Sequence, residues 1–136
     1  MTFETFEISQ PDPSCKGSIT RWVGDVNGKQ QQVLFATNPA STTLRVNQTV
    51  YASTNNGKSF DIKFRIDTSG GYGAINVNNA NQLVVFYDYF PAQNSTTGKS
   101  IPGTSWPGRP GGTSFKLAVV DPAAMLSMDA TSQGSD

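Results

Sequence analysis

The residues best suited to do chemistry lie between positions 43 and 67, where polar and apolar side chains alternate. Cations, small hydrogen-bonding side chains and an aromatic ring fall on one side of this alternation: Arg45, Asn47, Thr49, Tyr51, Ser59, Lys63 and Arg65. Arg and Lys can pair with phosphates, Asn and Thr can bond base edges, and a Tyr ring can stack on a base. This polar row indicates a site for single-stranded or looped RNA.

A simpler interpretation is an ordinary sheet face in contact with water. Most antiparallel sheets have one such face with interspersed charges. Asp61 and Asp67 belong to the same row, and these carboxylates favour the simpler interpretation.

Other chemistries have little support. The chain has no histidine, which removes the commonest general base and the commonest metal ligand. Its single cysteine, Cys15, excludes an internal disulfide and a Cys-rich zinc site. Asp61, Asp67 and Asp88 could supply a glycosidase pair, but they lie in no recognisable motif. We therefore expect no enzymatic activity, no cofactor and no metal.

The polar row requires a β-hairpin over residues 43–67. Alternation with a period of two is the strand signal, and a three-residue loop with Gly57 in the left-handed conformation would connect the arms. With Thr54 opposite Lys58, the expected partners are Arg45 and Asp67, Asn47 and Arg65, Thr49 and Lys63, and Tyr51 and Asp61. The opposite face is apolar and must be covered by other elements.

Further strands are predicted on both sides of this hairpin. A first hairpin joins residues 18–23 and 30–36 through Asn27-Gly28, and residues 114–120 form a last strand. Residues 82–90 are apolar on both sides and predict a central strand, with Leu83, Val85, Tyr87 and Tyr89 on one face. If that strand lies beside the hairpin, Tyr87 or Tyr89 would add a second stacking ring to the RNA site.

The remaining segments are less regular. Residues 1–8 are compatible with an edge strand, residues 69–73 with a flexible corner, and residues 74–80 with a short strand or a loop. Residues 91–112 are rich in Pro and Gly and predict a long loop or arm. Asp121 and Pro122 predict one short helix, and residues 129–136 a flexible tail.

Composition indicates one mainly β domain over residues 1–136. Hydrophobic residues make up 36% of the chain and charged residues 15%, and the net charge is zero. A neutral chain has no overall field to attract RNA or a membrane, so any RNA site must be local. No apolar run approaches the roughly 20 residues of a membrane span, and the N-terminus lacks the apolar core of a signal peptide. We expect folding in a reducing cytoplasm.

These patterns together resemble the coat proteins of single-stranded RNA bacteriophages. The stretches TLRVNQTVYAS and KSFDIKFRID are similar to the RNA-binding strands of that family. QLVVFYDYF is similar to the strand that follows, and DPAAMLSMDATSQ is similar to the tail of some members. The resemblance covers roughly residues 18–90 and the tail.

The resemblance implies a function. It implies a capsid subunit that forms homodimers, assembles into a large symmetric shell in the host cytoplasm and packages single-stranded RNA in the virion. Arg45, Asn47, Thr49, Tyr51, Lys63 and Arg65 would contact RNA, and Tyr87 or Tyr89 would stack on a base. The family's sheet is followed by two helices that interlock the dimer, whereas residues 91–112 cannot form a long helix. Dimers would therefore have to form through another structural element.

Two alternatives come from other classes of protein. A lectin-like β-sandwich would use aromatic residues such as Trp22 and Trp106 as sugar-stacking platforms, ringed by Asn, Asp and Gly. A fibre or pilus subunit would exchange strands between neighbours, with the N-terminus as the donor. Basic residues on a sheet face would favour the coat protein, whereas aromatic-lined loops would favour the lectin.

Overall fold

The computed structural model describes residues 2–5, 10–89 and 114–133, with side chains described to residue 128. In this part of the chain seven strands form two antiparallel sheets, and one helix follows them. The first sheet has the order β1 (Ser18–Val26), β2 (Lys29–Pro39), β3 (Gln48–Ser53) and β4 (Ile62–Arg65). The second has the order β5 (Gly73–Val77), β6 (Leu83–Tyr89) and β7 (Ser114–Val120), and α1 is Pro122–Gln133. The prediction of a mainly β fold with a short C-terminal helix is confirmed.

The first hairpin forms where the sequence predicts it. Asn27 and Gly28 take φ angles of 53° and 81°, the left-handed pair that a two-residue hairpin turn needs. Asp25 Oδ1 accepts a hydrogen bond from Gly28 N at 2.7 Å. Both strands are longer than predicted, since pairing runs from Val26 and Lys29 at the turn to Ser18 and Thr37.

The second hairpin has a different register from the expected one. Thr49 pairs with Arg65 and Tyr51 pairs with Lys63, a slip of two residues. A slip of two keeps the paired residues, 49–52 and 62–65, on their predicted faces. The loop is wider than three residues because Asn55 Oδ1 accepts both the Ser53 hydroxyl, at 2.8 Å, and Ser59 N, at 3.0 Å.

The core lies between the two sheets. The first sheet contributes Trp22, Val33, Phe35 and Val50, and the second contributes Ile75, Leu83, Val85 and Tyr87. Burial of such side chains contributes roughly 1.5–3 kcal/mol each relative to exposure. α1 packs against β1 and β4 and adds Met125 and Leu126 to this core.

The helix begins as predicted and ends later. Ala123 N donates to Asp121 Oδ1 at 3.1 Å, as an N-cap requires. α1 extends to Gln133, so residues 129–133 belong to the helix and not to the predicted tail.

Residues 69–71 of the Gly-rich corner are buried, whereas Tyr72 is exposed. Gly71 N donates to Gln48 Oε1 at 3.1 Å, and Gln48 is fully buried. A Cβ on Gly70 or Gly73 would lie 3.0 or 2.9 Å from the Gln48 side chain. Glycine therefore allows the corner to pack directly on Gln48. The chain then leads into β5, which is the short strand left open as an alternative for residues 74–80.

Two expectations concern the remaining segments. Residues 2–5 form no strand and are exposed, whereas residues 6–9 and the loop or arm predicted for 91–112 lie outside the described residues. Residues 10–17 cross the outer face of the first sheet, where Gln10 Nε2 donates to Phe60 O at 3.1 Å and Asn38 Nδ2 donates to Pro11 O at 3.1 Å. We call residues 10–17 the N-terminal strap.

Candidate functional site

Lys63 and Arg65 are the exposed cations of the predicted RNA site. Both lie on the outer face of β4, the edge strand of the first sheet. Two residues along a strand span about 7 Å, so the two cations form a short positive strip. Neither makes a salt bridge with any residue that the structure describes. The strip is therefore free to meet an anionic partner.

Thr49 and Tyr51 share this face but are buried. Tyr51 pairs with Lys63 across the strands and is only 2% exposed, because the N-terminal strap lies over it. The Thr49 hydroxyl donates to Asn47 O at 2.8 Å. Burial raises the pKa of the Tyr51 phenol. The prediction of a shared face is correct, but neither side chain lies open to solvent beside the cations.

Arg45 and Asn47 lie before β3 and not on it. The Arg45 guanidinium stands 5.0 Å from the centre of the Tyr72 ring, in the range of a cation–π contact. Asn47 has a φ of 59°, and its backbone oxygen accepts a hydrogen bond from Ala40 N at 2.8 Å. The left-handed residue breaks the alternation, so the predicted first arm of the hairpin is shorter than expected.

Tyr87 and Tyr89 belong to the second sheet, so their strand does not lie beside the second hairpin, the condition under which either ring would join the RNA site. Tyr87 is buried between the sheets, and its hydroxyl donates to Asp67 Oδ2 at 2.7 Å. Lys116 Nζ lies 2.8 Å from the same oxygen and 3.7 Å from the centre of the Tyr89 ring. The two tyrosines therefore take part in a polar cluster that joins the sheets.

The ionisation of this cluster follows from its contacts. Burial alone would raise the pKa of Asp67, but hydrogen bonds from Lys116, Ser69 N and Tyr87 outweigh it and hold that pKa below its usual value. Burial and the bond to Asp67 raise the pKa of Tyr87 well above its usual value. At neutral pH the cluster contains a carboxylate, a neutral phenol and an ammonium group, an arrangement that stabilises the fold.

A cavity lies beside Tyr51, between the N-terminal strap and the outer face of the first sheet. Its volume is about 430 Å³, and Gln10, Cys15, Ile19, Asn38, Tyr51 and Phe60 are among its lining residues. Burial raises the pKa of the Cys15 thiol, which keeps it protonated. No sequence pattern predicts this cavity, because its lining comes from segments far apart in the chain, and only Tyr51 belongs to the polar row.

The outer face of the second sheet carries a row of apolar side chains, bordered by Asn76 and Asp88. We call Val84, Phe86, Phe115, Leu117 and Val119 the apolar face. Four of its side chains are about half exposed: Phe86 47%, Phe115 58%, Leu117 62% and Val119 54%. The Phe86 and Phe115 rings stack with centres 5.0 Å apart. The sequence shows this row as a strict alternation of apolar residues in β7. Exposed and buried apolar rows alternate in the same way, so the sequence does not show that these side chains are exposed.

Known proteins give no assignment for these features. Comparisons with protein-family models, with curated proteins and with solved structures found no match. The described residues contain no group of three side chains that could hold a metal ion. Within those same residues, no helix is both long and apolar enough to cross a membrane.

Proposed function

We propose that this protein is a viral structural subunit that self-assembles into a shell and binds single-stranded RNA through Lys63 and Arg65. The exposed apolar face of the second sheet is the observation that carries the proposal. Large contiguous apolar patches are rare on monomeric proteins and mark interaction sites. A second copy of the chain is the partner that best fits this face.

The strand β7 supports self-association. It lies at the edge of the second sheet and pairs only with β6 among the described residues. An open edge is a template for pairing with another chain. Antiparallel pairing of β7 with its own copy would be two-fold symmetric, as homodimer interfaces are, and would place two apolar faces side by side.

The positive strip supports RNA binding. Lys63 and Arg65 lie on the first sheet, whereas the apolar face belongs to the second. Assembly through the apolar face therefore leaves the two cations available to phosphates. Arg45 beside Tyr72 is a further cation near exposed aromatic surface.

The lectin-like alternative keeps one supporting observation, since seven strands in two sheets is the arrangement it predicts. The two tryptophans proposed as its sugar-stacking platforms give it no support. Trp22 is buried in the core, which corrects that suggestion, and Trp106 lies outside the described residues. Tyr72 is an exposed loop aromatic, but Arg45 stands over its ring.

The test is the size of the assembly, measured by size-exclusion chromatography with light scattering and negative-stain microscopy. The protein expressed in bacteria is expected to form large particles with nucleic-acid absorbance. Leu117→Lys should reduce them to monomers or small oligomers, because it places a charge in the apolar face. Val23→Lys is the matched control, since Val23 is an exposed strand residue of the first sheet.

Two outcomes would contradict the proposal. A wild-type protein that is monomeric at micromolar concentration would remove the self-assembling subunit and favour the lectin, to be followed on a glycan array. Equal effects of Leu117→Lys and Val23→Lys on particle size would show that assembly does not use the apolar face.

A further inference from the structure

The N-terminal strap covers the aromatic residue of the polar row. That residue, Tyr51, pairs across the strands with the exposed Lys63. The Tyr51 side chain is 2% exposed, and so is that of Phe60. Gln10 and Asp12 of the strap line the same cavity as these two rings. The strap therefore occupies the part of the outer face on which a base could contact Tyr51 beside Lys63.

Two side-chain hydrogen bonds fasten residues 10 and 11 of the strap to the sheet. Gln10 Nε2 donates to Phe60 O, and Asn38 Nδ2 donates to Pro11 O, both at 3.1 Å. Pro11 and Pro13 have no N–H group with which to add further backbone bonds. This end of the strap is therefore held mainly by two amide side chains.

The other end of the strap is anchored where β1 begins. Lys16 O accepts a hydrogen bond from Gly73 N at 3.1 Å. Between the two ends the strap turns at Ser14, which has a φ of 60°, a left-handed conformation that non-glycine residues rarely adopt. A change of backbone angles at this turn would free residues 10–13 and leave Lys16 in place.

The contact between strap and sheet is incompletely packed and incompletely hydrogen-bonded. A cavity of about 430 Å³ lies between them, whereas protein interiors contain few voids larger than a water molecule. Gln10 Oε1, Asn38 Oδ1 and the Tyr51 hydroxyl are buried without a hydrogen-bond partner. Opening of the strap would give these atoms access to water, which lowers the free-energy cost of opening.

We propose that the N-terminal strap is an autoinhibitory cover, and that single-stranded RNA displaces residues 10–13 to stack a base on Tyr51. The inference rests on the proposed function, because Lys63 and Arg65 bind the neighbouring phosphates in both. Stacking on an aromatic ring accepts any base, so this contact selects single strands and not a sequence. The observed RNA affinity equals the intrinsic affinity multiplied by the fraction of molecules with an open strap.

The test loosens the strap in the full chain. Gln10→Ala with Asn38→Ala, the loosened variant, removes both side-chain hydrogen bonds between the strap and the sheet. We expect it to bind a fluorescent single-stranded RNA about three- to tenfold more tightly than wild type, because more molecules are open. Gln30→Ala with Gln32→Ala is the matched control, since both glutamines are exposed on β2 and neither lines the cavity.

Tyrosine nitration, followed by mass spectrometry, measures opening without RNA. Nitration of Tyr51 should accelerate in the loosened variant by the same factor of about three to ten, because both measurements follow the open fraction. The exposed Tyr72 and the buried Tyr87 should keep their wild-type rates. Tyr51→Leu added to the loosened variant should abolish the gain in RNA affinity, because no ring remains for stacking.

Three results would overturn the inference. They are an unchanged nitration rate at Tyr51, an equal acceleration at Tyr87, which would indicate general unfolding, and equal RNA affinities of the loosened variant and its control while wild type binds RNA. An absence of RNA binding in every variant and in wild type would instead remove the proposed function. Selective nitration of Tyr51 in the loosened variant would then still support a strap that opens.

Discussion

The two sides of the first sheet differ in how their buried polar groups are hydrogen-bonded. On the inner side, Gln48 donates to the Thr37 hydroxyl at 2.9 Å and accepts Gly71 N. On the outer side, the amide oxygen of Asn38, the next residue of β2, and the Tyr51 hydroxyl are both buried without a hydrogen-bond partner. Thr37 and Asn38 are neighbours in β2, yet the Thr37 hydroxyl is hydrogen-bonded and the Asn38 amide oxygen is not.

This difference separates groups that join parts of the fold from groups that make no such bond. The inner cluster and the Asp67 cluster join elements that are distant in sequence, and both are hydrogen-bonded. Losing such a partner leaves a buried group unpaired, which costs about 1–3 kcal/mol. The unpaired outer groups already carry that cost, so removing one of them should change stability less than removing a paired inner group.

The largest expected effect is on the inner cluster. Gln48→Ala removes two buried hydrogen bonds and leaves Gly71 N without its acceptor. We expect the free energy of unfolding to fall by about 2–4 kcal/mol, measured by urea denaturation. Gln32→Ala, on the exposed outer side of β2, should change it by less than about 0.5 kcal/mol. Similar losses in both variants would contradict the structural role of Gln48.

A smaller effect is expected at Asp67. Asp67→Asn removes the charge that holds Lys116 and weakens the bond from Tyr87, and we expect a loss of about 1–2 kcal/mol at pH 7. The folded-state pKa of Asp67 is below its usual value. The resulting stability is therefore present above the unfolded-state pKa of about 3.9 and is lost as pH falls toward the lower folded-state value.

The pH dependence distinguishes this role from simple packing. Wild type should lose stability between about pH 5 and pH 2 more steeply than Asp67→Asn. Asp61→Asn, an exposed carboxyl just before β4, is the control and should follow wild type. Parallel curves for wild type and Asp67→Asn would rule out a charged Asp67 as the stabilising form.

The smallest effect on stability is expected at Tyr51. Tyr51→Phe should leave the free energy of unfolding within about 0.5 kcal/mol of wild type, measured in the same urea series. A loss of more than about 1 kcal/mol would show that the hydroxyl has a structural partner and that the two sides of the sheet are alike.

Local pattern was enough to predict much of the fold. The Asn27-Gly28 turn, the central position of β6 and the bounds of β7 follow from turn chemistry and strand patterning. The register of the second hairpin did not follow from local pattern. Asn55 closes the loop through its side chain, and a slip of two residues preserves the alternation of polar and apolar residues.

The candidate site was harder to predict. Alternation placed Lys63 and Arg65 correctly on an exposed face, but it could not show that the N-terminal strap buries Tyr51. That contact joins segments about 40 residues apart. Tyr87 was assigned to the RNA site by adjacency along the chain, whereas the structure places it between two sheets. Tertiary contacts of this kind leave no periodic signal.

Salt-dependent binding of a fluorescent single-stranded RNA shows whether Lys63 and Arg65 bind phosphates. The double variant Lys63→Ala, Arg65→Ala is compared with Arg21→Ala, Lys29→Ala, a pair in the first hairpin that removes the same charge. We expect at least tenfold weaker binding for the first pair, and a slope of log affinity against log salt reduced by about 1.4. Equal affinities for the two double variants, or wild-type binding that ignores salt, would contradict it.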